Sequence, residues 1–216
     1  MNEGYKKFIR VLYRKIKRKN IPLNLVYICK NKGITVRKLK LDELGRMRID
    51  EFKQAEKFPL IVILDNIRSL NNTGSLFRTA DAFRVEKIYL TGFTATPPHK
   101  EIHKTALGAT ESVEWEYVPN IVLLLQKLKQ ESVYIVGAEQ TDQSEPLYRF
   151  CPPRDKKIAV IFGNEVHGIS DKALPWLDKA VEIPQYGTKH SFNVAVSAGI
   201  ILWDIFAKTK FYPVCD

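Results

Sequence analysis

From Pro59 onward the chain alternates short, unbroken apolar runs with stretches of helical spacing, and this restricts its fold more than any other feature. The runs are residues 60–64 (LIVIL), 86–91 (EKIYLT), 132–137 (SVYIVG), 157–162 (KIAVIF) and 180–183 (AVEI). Helix-type patterns lie between and after them, over about 73–83, 98–107, 120–130, 169–174 and 192–208. A strand reads as a continuous apolar run when neither of its faces meets water. Such strands, separated by helices, pack as a parallel sheet covered on both sides. The expected class is therefore α/β, a mostly parallel sheet with helices on both faces.

Charge is the next constraint. The formal net charge is +10, but residues 1–40 hold 13 Lys/Arg against the single acid Glu3, while the remainder holds 21 against 23. The whole excess sits in an N-terminal arm. Tyr5, Phe8, Ile9, Leu12, Tyr13 and Ile16 fall on one face of a helix there, and Lys6, Lys7, Arg10, Arg14, Lys17 and Arg18 on the other. A helix of that kind packs on something and presents cations outward. Phosphate pulls strongly on clustered cations, so nucleic acid is preferred over an anionic membrane surface or a merely solvated face. Residues 41–58 read as a connector with a weak helix. The domain assignment is thus 1–55, a basic helical extension and connector, and 56–216, the α/β domain.

Several function classes are disfavoured. No apolar run approaches the roughly 20 residues of a membrane span, and the N-terminal apolar residues are interleaved with lysine and arginine, unlike a signal peptide. Cys29, Cys151 and Cys215 are far apart and odd in number, and read as free thiols in a reducing, cytoplasmic setting. No two glycines are separated by a single residue, so G-x-G-x-x-G is absent. Gly163 and Gly168 have P-loop spacing, but Ile169 stands where the lysine belongs. His99 and His103 are four apart with no third ligand suggested, so they read as surface residues of a helix opened by Pro97-Pro98 and no metal is expected. Ser191 lacks the G-x-S-x-G elbow of a serine hydrolase.

Three polar, glycine-containing segments remain, each after an apolar run. The first runs from Asp65-Asn66 through Asn72-Thr73-Gly74 to Arg78-Thr79-Ala80. The second is Gly163-Asn164-Glu165-Val166-His167-Gly168. The third is Ile183-Pro184-Gln185-Tyr186-Gly187, followed by Ser191-Phe192-Asn193-Val194-Ala195-Val196-Ser197-Ala198. Each has a bland alternative: Asn72 as a helix cap with Arg78 as a surface ion-pair partner, a tight turn around Glu165, and Ser191 as the cap of the last helix.

Together, in this order, the segments resemble the signature motifs of the SpoU (TrmH-type) RNA 2′-O-ribose methyltransferases of the SPOUT superfamily: N-x-G-x-x-x-R-x-A, then G-N-E-x-x-G, then I-P-M-x-G with S-L-N-V-S-x-A. The resemblance covers roughly residues 59–209. It implies a SPOUT methyltransferase fold whose C-terminal part is threaded into a trefoil knot, and a homodimer with its active site completed across the interface. It implies S-adenosylmethionine as cofactor, held by Gly163, Ile183 and Phe192. Catalysis would fall to Arg78, with Asn72, Glu165, Ser191 and Asn193 building the pocket. The chain departs from the family pattern at Phe192, Gln185, Ala195 and Arg84, where leucine, methionine, serine and glycine are usual.

The expected activity is methylation of a ribose 2′-hydroxyl of a structured RNA, tRNA or rRNA. The short basic arm favours tRNA. The alternatives are a catalytically silent RNA-binding protein and methylation of a base nitrogen. Arg78 could serve as a general base or as a cation gripping a phosphate. Its high intrinsic pKa favours the second role.

Overall fold

A computed structural model describes residues 37–40 and 42–212. The chain divides into two compact units, Met1–Arg46 and Met47–Asp216. In the first, the described residues form a short 3-10 helix, Asp42–Leu44, and Arg37 makes a two-pronged ion pair with Glu43 at 2.6 and 2.9 Å. The basic amphipathic helix expected in the N-terminal arm lies outside the described residues.

The second unit begins with α1 (Ile49–Gln54), β1 (Phe58–Asp65), α2 (Leu70–Ala82) and β2 (Val85–Thr91). It continues with α3 (Lys100–Ala106), α4 (Ala109–Ser112), β3 (Trp115–Val118), α5 (Ile121–Gln130) and β4 (Tyr134–Ala138). It ends with β5 (Glu145–Pro146), β6 (Ile158–Phe162), β7 (Lys179–Glu182) and α6 (Val194–Lys210). The strands form one sheet in the order β3-β2-β1-β6-β4-β7-β5, and every pairing is parallel. This is the α/β class that the apolar runs predict.

Strand β1 shows how the sheet sorts its two faces. Leu60, Val62 and Leu64 pack into one core with Leu76 and Phe77 of α2 and Ile201, Leu202 and Ile205 of α6. Ile61 and Ile63 point the other way, into a core shared with Leu124, Leu125 and Leu128 of α5. Successive side chains of a strand alternate between faces, so a central strand needs apolar residues at every position. Each fully buried side chain of this size is worth about 1.5–3 kcal/mol.

Four expectations need correction. Residues 169–174 form no α-helix: the Ile169 and Ser170 amides donate to the Glu139 and Asp65 carboxylates, and only a short 3-10 helix, Leu174–Trp176, begins at the end of the segment. Strands β3 and β5 were not expected, because these edge strands carry alternating or half-buried residues and lack an apolar run. The helix caps also move, from Asn72 to Ser69 and from Ser191 to Asn193. Finally, Cys151 is disulfide-bonded, so the reading of three free thiols fails there and no longer supports a reducing compartment. Separation along the chain says little about proximity in a fold.

Arg84, standing where the family has glycine, has φ +50°. Its carbonyl accepts from Phe58 N at 2.8 Å at the start of β1, and its amide donates to Asp81 O at 3.0 Å. The left-handed turn after α2 is retained without the residue that makes it easy. Among the described residues no helix is long and apolar enough to cross a membrane.

Candidate active site

Because all strands run parallel, the segments that follow them meet at one edge of the sheet. Leu64 of β1 and Ala138 of β4 both pair with Phe162 of β6, and Ala138 also pairs with Val181 of β7. The loops that begin at Asp65, Glu139, Gly163 and Ile183 are therefore neighbours. Ligands of open parallel sheets bind at such an edge.

The loop after β6 is closed on itself. Asn164 and Gly168 exchange backbone hydrogen bonds, both at 2.9 Å, and Asn164 Oδ1 accepts from Val166 N and His167 N inside the turn. Gly163 has no room for a side chain, since a Cβ would press into the backbone of Gly168 and Ile169. Two carboxylates fix the far end of the loop. Glu139, just past β4, accepts from Ile169 N at 2.9 Å, and the buried Asp65 accepts from Ser170 N at 2.8 Å and from the Ser170 hydroxyl.

Glu165 projects from the tip of this loop to the start of α2. Its carboxylate accepts from Arg68 N at 2.9 Å, Ser69 N at 3.1 Å and Asn72 Nδ2 at 2.9 Å. Partial burial pushes its carboxyl up, but the Arg68 amide, the Asn72 side chain and further backbone amides outweigh burial and hold it below its ordinary value. A negative charge is also favourable at a helix N-terminus. Asn72 Oδ1 in turn accepts from Asn193 Nδ2 at 3.1 Å, while Asn193 Oδ1 caps α6 by accepting from Ala195 N at 2.9 Å. A single chain of hydrogen bonds thus joins the three motif segments through Glu165, Asn72 and Asn193.

Beside this chain lies a cleft of about 360 Å³. Gly163, Glu165, Ile183, Ser191 and Phe192, five of the residues singled out in the sequence, line it. Its walls are apolar at Phe162, Ile183, Phe192 and Ile201, and among the described residues its charged groups are the carboxylates of Glu139, Glu165 and Glu182, with no lysine or arginine in the lining. Arg78 is not in the cleft. It sits on an exposed face of α2 and makes no hydrogen bond or ion pair among the described residues. Gly74, also in the first motif, serves packing: a Cβ there would press into Thr105 and the Ile102 carbonyl of α3.

Sequence reasoning missed Glu139 and Asn164. Glu139 is the first acid after an apolar run, so the rule that placed the other segments could have found it. Among the described residues no group of three or more His, Cys, Asp or Glu side chains is placed to hold a metal ion. His99 instead caps α3, its Nδ1 accepting from Glu101 N at 3.2 Å.

Residues 59–203 match the model of the SpoU rRNA Methylase family. The chain belongs to that family. It is 33% identical over 153 residues to the 23S rRNA (guanosine-2′-O-)-methyltransferase RlmB of Neisseria meningitidis, a match covering 71% of this chain and 60% of that one. Among solved structures, it resembles the A. aeolicus TrmH/SpoU tRNA modifying enzyme at 29% identity with a TM-score of 0.64, over 73% of this chain and 78% of the other. The AdoMet-bound rRNA methyltransferase of Sinorhizobium meliloti shares the fold at 24% identity with a TM-score of 0.64, covering 76% of this chain and 60% of that protein. The SpoU match thus rests on the α/β unit, and the chain spans about 60% of the length of RlmB.

Proposed function

We propose that this SpoU family member is an S-adenosylmethionine-dependent RNA methyltransferase that methylates a ribose 2′-hydroxyl. The observation that carries the reading is the union of the three motif segments at one cleft through Glu165, Asn72 and Asn193. The cleft fits the cofactor in chemistry. Its volume lies in the range of small-molecule sites, it has apolar walls for an adenine, and its charged groups suit a sulfonium and an ammonium rather than a phosphate.

S-adenosylmethionine, where bound, supplies the methyl group on a positively charged sulfur. Gly163 would approach it through its backbone, with Ile183 and Phe192 as walls. The residues around the cleft would hold the ribose hydroxyl in line with that methyl group, which its oxygen would take up as the carbon–sulfur bond breaks with its electron pair going to sulfur. The hydroxyl proton would pass to water. Arg78 is proposed to grip the adjacent phosphate as a cation and to stabilise the charge that develops on the ribose oxygen. Glu165 is a clamp rather than a base: its oxygens are occupied by three donors. Ser191 would orient the ribose from the rim of the cleft.

Arg78 lies outside the cleft, so the reading includes a homodimer in which a second copy brings an arginine to the bound cofactor. The exposed Val196, Ile200 and Trp203, one stripe of α6, offer apolar surface for it. The C-terminal trefoil knot belongs to the same reading, as do residues 1–55 as the RNA-gripping extension of a domain covering 56–216. A tRNA substrate is preferred over rRNA because the basic arm suits the backbone of a compact RNA. A cytoplasmic location follows from such a substrate.

Nucleoside mass spectrometry after incubating the full chain with labelled cofactor and total RNA tests the reading. A labelled 2′-O-methyl nucleoside is expected. A labelled base, or cofactor binding without transfer, would replace it with base methylation or with a silent RNA binder.

A further inference from the structure

Past β2 the chain makes a turn, Gly92–Thr94, that is fixed on every side and yet presents a phenyl ring to solvent. Phe93 is 62% exposed. Its amide donates to Asn66 Oδ1 at 3.2 Å, and Gly92, at φ +62°, is pressed so closely on that side chain that no Cβ would fit. Thr94 is buried, its hydroxyl donating to Leu64 O at 3.0 Å and accepting from Ile67 N at 2.9 Å. Tyr117 of the edge strand β3 is 44% exposed and donates its hydroxyl to Gly92 O at 2.6 Å. Neither ring belongs to a buried core cluster, and the Tyr117 ring is held by its hydroxyl bond to the turn that carries Phe93.

The turn adjoins the candidate active site. Asn66, which holds Phe93, also accepts through its carbonyl from Asn164 Nδ2 at 2.7 Å. Arg68 lies between the two: its amide is bound by Glu165, and the amide of its neighbour Ile67 by Thr94. The Arg68 side chain is exposed and its guanidinium makes no hydrogen bond or ion pair among the described residues. Along the carboxyl edge of the sheet, from β6 toward β3, the order is therefore Glu165, Arg68, Phe93, Tyr117: an exposed cation followed by two exposed rings on a hydrogen-bonded support.

We propose that Arg68, Phe93 and Tyr117 form a track for the unpaired RNA nucleotide next to the target ribose, with its phosphate on Arg68 and its base on Phe93. The proposal rests on the RNA methyltransferase reading and names which part of the RNA this edge holds. A free guanidinium beside exposed rings matches a nucleotide, which carries a phosphate and a flat base together. Stacking asks only for a π-face, so the track accepts any base.

The test uses the full chain and two fluorescent RNAs of equal length: a hairpin with an unpaired seven-nucleotide loop and a blunt duplex. Phe93→Ala is expected to weaken hairpin binding roughly tenfold while leaving duplex binding unchanged, and Phe93→Trp to retain the hairpin. Arg68→Gln keeps the amide that Glu165 holds. It is expected to weaken hairpin binding and lower its salt slope by about one counter-ion. Hairpin affinity unchanged in Phe93→Ala, equal losses on both RNAs, or a wild type that binds the hairpin no better than the duplex would each overturn the track. A Phe93→Ala chain that keeps its RNA affinity but sediments as a smaller species would assign the ring to contact between copies, and also overturn it. Calorimetric cofactor binding and methyl transfer are measured beside these. Their failure with the hairpin preference intact counts against the enzyme reading, not the track.

Discussion

The Asn193 side-chain amide donates to Asn72 Oδ1 at 3.1 Å, joining residues 121 positions apart. With Asn193 Oδ1 capping α6 and Asn72 Nδ2 bound to Glu165, one pair of amides fixes the relative position of two helices and a loop. Each amide uses its oxygen and its nitrogen at once, so neither could be replaced by an ionised carboxylate, which only accepts.

Glu165→Gln should lower stability by about 1 kcal/mol, or roughly 2–4 °C in Tm, because an amide cannot accept from three donors as a carboxylate does. The half-exposed position keeps the loss at that level. Since the Glu165 pKa is lowered in the folded state, its contribution is present above the ordinary carboxylate range and is lost as the pH falls through the lowered value. The Tm gap between wild type and variant should thus close below about pH 4. A gap that widens on acidification would contradict the clamp.

Gly163→Ala should cost about 1–3 kcal/mol by forcing the Gly168–Ile169 backbone aside. The damage is local to the cleft, so S-adenosylmethionine affinity measured by calorimetry should fall while the far-ultraviolet spectrum stays that of the wild type. Retained affinity would separate the cofactor from this loop.

Arg78→Ala should lower kcat roughly 100-fold or more if the arginine stabilises developing charge. Cofactor affinity should stay near that of the wild type, because Arg78 does not line the cleft of its own chain and its proposed partner is the RNA phosphate. Arg78→Lys keeps the charge and loses the planar fork. Turnover close to wild type in that variant would exclude both roles that depend on the fork.

Arg84→Gly should stabilise the protein by about 0.5–1 kcal/mol, the left-handed strain relieved exceeding the entropy that glycine adds to the unfolded chain. Chemical denaturation reads this directly. A loss of stability would mean that the Arg84 side chain contributes more than its backbone costs.

The sequence disclosed those parts of the fold that follow from burial. β1 and β6 lie in the middle of the sheet, and their unbroken apolar runs have no other use. β3 escaped because an edge strand is free to alternate Trp115 and Tyr117 with acids, and residues 169–174 mimic a helix in composition while the amides of Ile169 and Ser170 are taken by Glu139 and Asp65. Long-range hydrogen bonds of that kind leave no periodic trace. At the site, motif order identified Gly163, Glu165, Ile183, Ser191 and Phe192, all of which line one cleft. The same motifs gave Arg78 no position. A single chain leaves it in solvent, so its role depends on something other than local pattern.

The closed loop after β6 has a kinetic corollary. Its bonds to the rest of the molecule span 93 residues from Glu165 to Asn72 and 105 from Ser170 to Asp65, whereas each helix closes its own bonds within four. Loop-closure entropy is met before distant contacts repay it, so contacts this remote in sequence form late. The expectation is that the chain first acquires its helices and the pairing of β1 with β2, and only later the β1–β6 pairing, as remote in sequence as the loop's own bonds, and with it the capacity to hold a ligand. Pulse-labelled hydrogen exchange during refolding should see the Ser69 and Ser170 amides protected after those that join β1 to β2. Protection at the same moment would mean that sheet and site condense together.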